Sequence, residues 1–308
     1  MSPVRFHWRL LQGGEGRGNA GLRQHDNPST ALPDLPAQIE FCRQAEAAGI
    51  DSLLVDFSYG KPDSILMSAA LASHTTQVRL MVAVRSGLMA PELFVQQMDD
   101  LAELTEGRLS LNVVAGHTAE EQRYYGDFLA HDERYARTSR FLDECRALWE
   151  RRGRNRPWPE TYVSGGSAAA RELALRHGNC WLRVVAETPE QLAESVGSVL
   201  DEGCQVGVRL SVIARPTREE ALREAAALVG RPATDGWLTA WLWNGAVKTH
   251  GAPAVAIVGT PSDVCAGINE FRRAGVSQFI LSGWPKLDAM TYFGQSVIPS
   301  FAESFHRA

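Results

Sequence analysis

The sequence predicts an α/β chain closed into a single (β/α)8 TIM barrel over residues 1–308, and three observations carry that expectation. Short apolar runs rich in β-branched residues alternate with longer segments of three-and-four apolar spacing, the pattern of βαβ units on a parallel sheet. The β-like runs number eight, whereas an open doubly wound sheet more often stops near six. The length of 308 residues exceeds that of most domains, yet an α/β barrel takes it up in one.

The predicted strands are Phe6 to Leu11, Ser52 to Asp56, Val78 to Val84, Leu109 to Val114, Tyr162 to Gly165, Cys180 to Val185, Val208 to Ala214 and Gln278 to Ser282. Helical segments follow them, among them PAQIEFCRQAEAAG, PELFVQQMDDLAEL, RYARTSRFLDECRALWE, PEQLAESVGSVLDEG and TREEALREAAALVG. Several begin at Pro or a Thr, Ser or Asp cap and end near Gly, as helices do. AVAIVGTPSDVCAGINEFRRAG adds a short strand and a helix before the last strand. Two stretches break the rhythm: Gly13 to Leu35, and Gly230 to Pro253 with its three Trp. Long βα loops of this kind carry function in a barrel or are plain surface loops.

Hydrophobic residues at 44% and charged residues at 22% are those of a soluble globular enzyme. A net charge of -5 argues against nucleic acid or an anionic membrane as the main partner. Five scattered cysteines form no CxxC pair and no His-linked metal spacing, which suits a reducing compartment. With no apolar run approaching the roughly 20 residues a spanning helix needs, the expected location is the cytoplasm.

The most specific region runs from Glu103 to Trp149. A helix ends at Gly107, the strand LSLNVVAG leads into a loop, and HDERY starts the next helix. Asn112 is an amide inside an apolar strand, so it must be hydrogen-bonded, either to a ligand or to a neighbouring loop. Further on, Gly165, Gly166 and Ser167 follow a strand and open a helix. Small residues there let backbone amides approach a phosphate, whose charge the helix dipole favours; a tight turn is the other reading.

The pattern LTEGRLSLNVVAG followed by HDERY resembles the bacterial-luciferase-like flavin-dependent monooxygenases, the alkanesulfonate monooxygenase branch in particular. The likeness extends through RLMVAVRSGLMAPELFVQQ, YVSGGSAAARELALRHG, VRLSVIARPTREEA and INEFRRAGVSQFILSGWPKLDA. It implies FMN across the carboxyl ends of the strands, with Asn112 by the ring, His131 and Tyr135 on the flavin or its ribityl chain, and Gly165, Gly166 and Ser167 on the phosphate. Taken alone, His131 reads as a helix-capping residue. The family often has a second Ser after Ser167, where this chain has Ala168, and Arg171 or another loop is the expected substitute. No GxGxxG follows a strand, so the implied electron source is external. It is a separate NAD(P)H-dependent flavin reductase, with reduced FMN (FMNH2) and O2 oxygenating a small organic substrate. A homo-oligomer, dimer or tetramer, is expected.

The pocket departs from the branch. Where alkanesulfonate monooxygenases have Thr-His after the first strand, this chain has Gln12 and Gly13; where they have Cys, it has Lys61 nearby. Their Arg-Leu-His becomes Arg209-Leu210-Ser211, and their Ser-Gly-Tyr-Pro-His becomes Ser282-Gly283-Trp284-Pro285-Lys286. Arg209 is the candidate for an anionic substrate group, or else for a salt bridge to a strand-end acid such as Asp56. Ser211, Trp284, Lys286, Lys61, Gln12 and Tyr59 are pocket candidates by position, and His7, His117 or His131 the candidates for proton transfer. The family's insertions are cut to RRGRNRPWPE and DGWLTAWLWNGAVKTHG, leaving Trp237, Trp241 and Trp243 as a replacement lid or as core. A non-catalytic flavin- or ligand-binding barrel is the alternative, and an unrelated barrel hydrolase or aldolase around Asp56 and Lys61 a more distant one.

These substitutions predict that the protein releases no sulfite from alkanesulfonates when supplied with a flavin reductase and NADH. Each lost hydrogen-bonding group in a buried pocket costs about 1 to 3 kcal/mol, so together they lower efficiency by orders of magnitude. Sulfite release at about one turnover per second would overturn this assignment of the pocket.

Overall fold

The structure is a computed structural model and describes residues 3–12, 33–58, 61–153, 156–245 and 255–302. Gly13, Tyr59 and much of the two irregular stretches therefore lie outside the described residues. Among the described residues are ten strands: β1 (Arg5–Arg9), β2 (Ser52–Val55), β3 (Arg79–Val84), β4 (Leu109–Val114), β5 (Glu160–Ser164), β6 (Cys180–Val184), β7 (Gln205–Ala214), β8 (Leu242–Trp243), β9 (Ala256–Gly259) and β10 (Val276–Ser282). β1 to β7 pair in order, all parallel, and β10 pairs with both β7 and β1. That double pairing closes an eight-stranded parallel barrel, the predicted (β/α)8 fold.

The helices on the outside are α1 (Leu35–Ala47), α2 (Ser64–Ala72), α3 (Pro91–Leu104), α4 (Ala119–Tyr124), α5 (His131–Arg152), α6 (Ala168–His177), α7 (Pro189–Asp201), α8 (Arg218–Val229), α9 (Pro261–Arg273), α10 (Lys286–Ser296) and α11 (Pro299–Ala302). Their starts are chemically specified. Asp63, Thr118, Ser167, Thr188, Thr217 and Thr260 each accept a first-turn amide at the helices that follow them. Their apolar faces and the outward-facing strand residues make one large core that includes Phe6, Trp8, Phe41, Phe94 and Phe271.

β7 is the longest strand, with ten residues, and its last four pair with β9 rather than β6. β9 takes over where β6 ends, through Val255 N donating to Val185 O and Ser211 N to Val255 O. Antiparallel to β9 lies β8, from the Trp-rich stretch. Trp241 packs edge-on against Phe271 and over Gly267, while Trp243 is buried among Ile213, Val258 and the alanines of α8. The indoles of Trp237 and Trp243 donate to Ala233 O and Asp235 O, each at 2.8 Å. Trp241 and Trp243 are therefore core, with Trp237 half-buried beside them, the packing alternative of the two the sequence leaves open. Among the described residues no helix is long and apolar enough to cross a membrane.

Alternation along the strands turns every second residue into the barrel, giving an interior in layers. Leu54, Met81, Tyr162, Cys180, Leu182 and Ile280 form a separate apolar cluster at mid-height. Below it, Arg5 pairs with Glu160, and Gln278 gathers a polar floor: its Oε1 accepts from Arg5 Nε at 3.1 Å and from Tyr162 Oη at 3.3 Å. Since Oε1 is an acceptor, His7 Nε2, 2.7 Å away, carries the proton. His7 Nδ1 then accepts from Ser52 Oγ at 2.6 Å.

Burial draws the His7 imidazole down to about 4. Both its ring nitrogens are occupied in the floor, far from the loop end of the barrel, so it drops out as a proton carrier at the mouth. Between pH 6.5 and 4 the unfolded chain binds a proton that the folded chain refuses, so stability falls as pH drops through that window. The slope is about 1.4 kcal/mol per pH unit for one such group. His7→Gln should flatten this slope, whatever its effect on stability at neutral pH. Urea unfolding at several pH values checks it, and an unchanged slope would refute the assignment.

Candidate active site

The inward alternation that buries the floor also aims Arg9, Asp56, Arg85, Asn112, Ser164, Arg209 and Ser211 into the carboxyl mouth, at or just beyond the ends of their strands. Asp56 binds Arg9 Nε at 2.9 Å and Lys61 Nζ at 2.8 Å. Gln12 extends the β1–β2 ladder with its side chain: Nε2 donates to Asp56 O and Asp56 N donates to Oε1, both at 2.9 Å. Burial alone would raise the Asp56 carboxyl, but the charges of Arg9, Lys61 and Arg209 hold it well below the usual carboxylate range. Arg209 is thus near Asp56, as the salt-bridge reading required, while still facing the mouth.

A second pair stands beside the first. Arg85 donates to Glu121 Oε2 at 2.6 Å and lies 5.3 Å from the centre of the Phe57 ring. His117 Nδ1 is 3.7 Å from the same Glu121 oxygen. The His117 side chain is 60% exposed, yet its partial desolvation, with the push of Arg85 and Arg209, lowers the imidazole against the pull of Glu121. Glu121 Oε1 is buried with no hydrogen-bond partner. Ser211 is buried in register with Ser282 of β10. Trp284 is buried against the Trp243 cluster and its carbonyl accepts from Arg215 at 3.1 Å. Its side chain therefore helps pack β7 and β9. A cis Trp284–Pro285 bond leads into buried Lys286, the first residue of α10.

Across the mouth, the turn after β5 leads into α6. Ser164 Oγ donates to Asn112 Oδ1 at 2.9 Å, tying β4 to β5. The chain then turns through Gly165, at φ 148°, a conformation reserved for glycine. A Cβ there would lie 2.6 Å from Tyr135 Oη. Tyr135 bonds Ser167 and stacks 4.9 Å from the His131 ring, while His131 Nδ1 lies 2.6 Å from Asp132 and is half exposed. Burial raises the Tyr135 phenol, so it stays protonated and able to donate. Trp181 Nε1 fixes Gly165 O at 2.8 Å.

Arg171, the expected substitute for the missing hydroxyl, instead reaches Ser198 on α7 at 2.7 Å. The cation at the turn is Arg183, which sequence reading missed. Its Nε lies 3.8 Å from where a Cβ on Gly166 would be, and that Nε is buried without a partner. Glu187 at 2.8 Å, Ser195 at 3.2 Å and the Trp181 ring at 4.8 Å hold the rest of the guanidinium. An unspent N–H, a side-chain-free backbone and the N-terminus of the ten-residue α6 converge there. Arg183 stands on the outward face of β6, where strand alternation puts it, and reaches the turn from between that strand and α7.

The start of α5 braces these loops. Arg137 grips Asp127 with both terminal nitrogens, at 3.1 and 2.6 Å, and passes where a Cβ on Gly87 would stand. Arg134 donates to Leu129 O at 2.7 Å and crowds Gly116 in the same way. Thr138 bonds Ser86. The HDERYART run therefore joins the loops after β3 and β4 to the turn after β5.

The luciferase-like monooxygenase family model matches residues 5–278. The chain belongs to that family. Among solved structures, the luciferase-like barrel resembles the long-chain alkane monooxygenase LadA with a TM-score of 0.77 at 17% identity, over 99% of this chain and 92% of that one. Riboflavin lyase RcaE, solved with modified FMN and its substrate riboflavin, gives 0.73 at 20% identity over 100% and 93%. The coenzyme F420-dependent tetrahydromethanopterin reductase from Methanopyrus kandleri gives 0.68 at 15%, over 97% and 100%. At such identities the likeness is one of fold.

Asp56→Asn removes the charge that Arg9 and Lys61 share and should destabilise this luciferase-like barrel by about 3 to 5 kcal/mol, the usual result of breaking a buried pair from one side. A shift in urea midpoint worth less than about 1 kcal/mol would show that Asp56 is not what compensates those cations.

Proposed function

We propose that the protein is the oxygenase of a two-component system: it takes reduced FMN from a separate NAD(P)H-dependent reductase and, with O2, oxygenates a small organic substrate other than a simple alkanesulfonate. The observation that carries this reading is the unpartnered, buried Arg183 Nε beside Gly166 at the start of α6, a seat suited to a flavin's terminal phosphate. Gly165, Gly166 and Ser167 leave the backbone open to it. Tyr135 and His131 stand next along the mouth, and Asn112, held by Ser164, follows toward the barrel axis. The described residues fit the group from phosphate to ring.

When bound, reduced flavin supplies the two electrons with which O2 delivers one oxygen atom to substrate and one to water. The chain's part is to bind, orient and exclude water. Asn112 and Ser164 offer neutral hydrogen-bonding groups in a buried setting, and Tyr135, kept protonated by burial, donates rather than ionises. Neutral His117 at the mouth is the residue able to hold a proton there, replacing the family His positions that this chain lacks. Arg209 faces the mouth as a permanent cation and helps hold the Asp56 carboxylate there.

Anaerobic titration should show reduced FMN binding more tightly than oxidised FMN. Arg183→Gln and Ser167→Asp should each weaken binding about tenfold or more, while Ser167→Ala costs only about 0.5 to 1.5 kcal/mol. Tight binding of F420 with no affinity for FMN in either redox state would overturn the proposal.

A further inference from the structure

Between the β2–α2 and β3–α3 connections lies a cavity of about 480 Å³, within the range of about 300 to 1,000 Å³ that suits small organic ligands. Leu88, Met89 and the rings of Phe57 and Tyr125, whose centres are 5.3 Å apart, form its apolar walls. Lys61 and Arg85 also line it, and Arg85 lies over the Phe57 face. The one carboxylate on its wall, Asp63, is spent on α2, where it accepts from Ile65 N at 3.0 Å and Leu66 N at 2.8 Å.

We propose that this cavity seats the substrate, and that the substrate is an amphipathic anion with a flat apolar ring against Leu88, Met89 and the edge of the Phe57–Tyr125 pair and a carboxylate or similar acid group on Arg85. The inference rests on the monooxygenase reading and gives its substrate a chemical class. The phosphate seat follows β5, three strands round the wall from β2, roughly 14 Å at about 4.8 Å per strand, so the two ends of the mouth serve different groups. Arg85 uses one N–H on Glu121 and one, at 3.5 Å, on Val114 O. A guanidinium has five, so donors remain on Arg85 for a carboxylate in the cavity. Burial draws Arg85 below the ordinary arginine value in spite of Glu121, so its charge is not fully compensated inside the protein. A second anion would supply what is missing.

The test uses 2-naphthoate and its neutral twin 2-naphthamide, titrated calorimetrically into the purified chain, with FMN titrated on the same samples. Naphthoate should bind at least about tenfold more tightly than the amide. The double variant Arg85→Gln/Glu121→Gln, which leaves no orphan charge, should bring the two within about twofold, and Met89→Trp should weaken both at least tenfold by filling the space. Leu88→Trp replaces Met89→Trp if the latter melts early. Equal binding of naphthoate and amide, or a filled cavity that leaves both affinities unchanged, overturns the substrate class. Normal FMN binding alongside that failure leaves the flavin reading intact. Naphthoate discrimination without flavin binding supports the anion cavity and overturns the flavin reading instead.

Discussion

A buried carboxylate cannot be stripped of its cations without leaving a charge out of water, and the cations around Asp56 come from different parts of the barrel. Arg9 arrives from β1, Lys61 from the loop after β2 and Arg209 from β7, on the far side of the β10 seam. Gln12 adds a two-point bond to the Asp56 backbone. One charge therefore fixes the relative positions of the strand ends that shape half the mouth. Replacing it costs more than a surface ion pair does, because the partners are sheltered as well.

The other half is organised without a central charge. There the order comes from α5, whose first two turns reach backward across the preceding loops, and from glycine turns that admit its side chains. Arg134, Tyr135, Arg137 and Thr138 all act within a single short run of sequence. Adjacent residues in a helix fan out around its axis, so such a run can touch several loops at once. A string like HDERY thus combines positions that face the mouth with positions that brace the loops, and spelling alone does not separate them.

Much of the fold was legible because periodicity is a local signal. Strands such as Leu109 to Val114 and Cys180 to Val185 were marked to within a residue, and the extra strand and helix before β10 were expected. β8 was not, since two residues carry no period. The Trp-rich stretch left two readings open because indoles at helical or hairpin spacing look alike whether they cover a pocket or fill a core; only Gly267 and Phe271, distant in sequence, decide it. The site was read unevenly for the same reason. Ser167, Gly165 and Gly166 announce themselves as neighbours, whereas Arg183 enters from the next strand and Arg85 and Glu121 meet across 36 residues. Charge pairs of that separation leave no trace in spacing, and Arg171, close to the turn in sequence, bonds Ser198 while Arg183 lies beside Gly166.

The close passage of two arginines over Gly87 and Gly116 bears on how this barrel can be redesigned. Any side chain at either glycine would meet the guanidinium of Arg137 or Arg134 within 2.6 Å, pushing the brace off the loops it secures. Loop libraries aimed at new substrates would gain little by randomising those two positions and would lose many folded members. Variation is better confined to the walls facing the cavity, such as Leu88 and Met89, which sit beside the brace without carrying it.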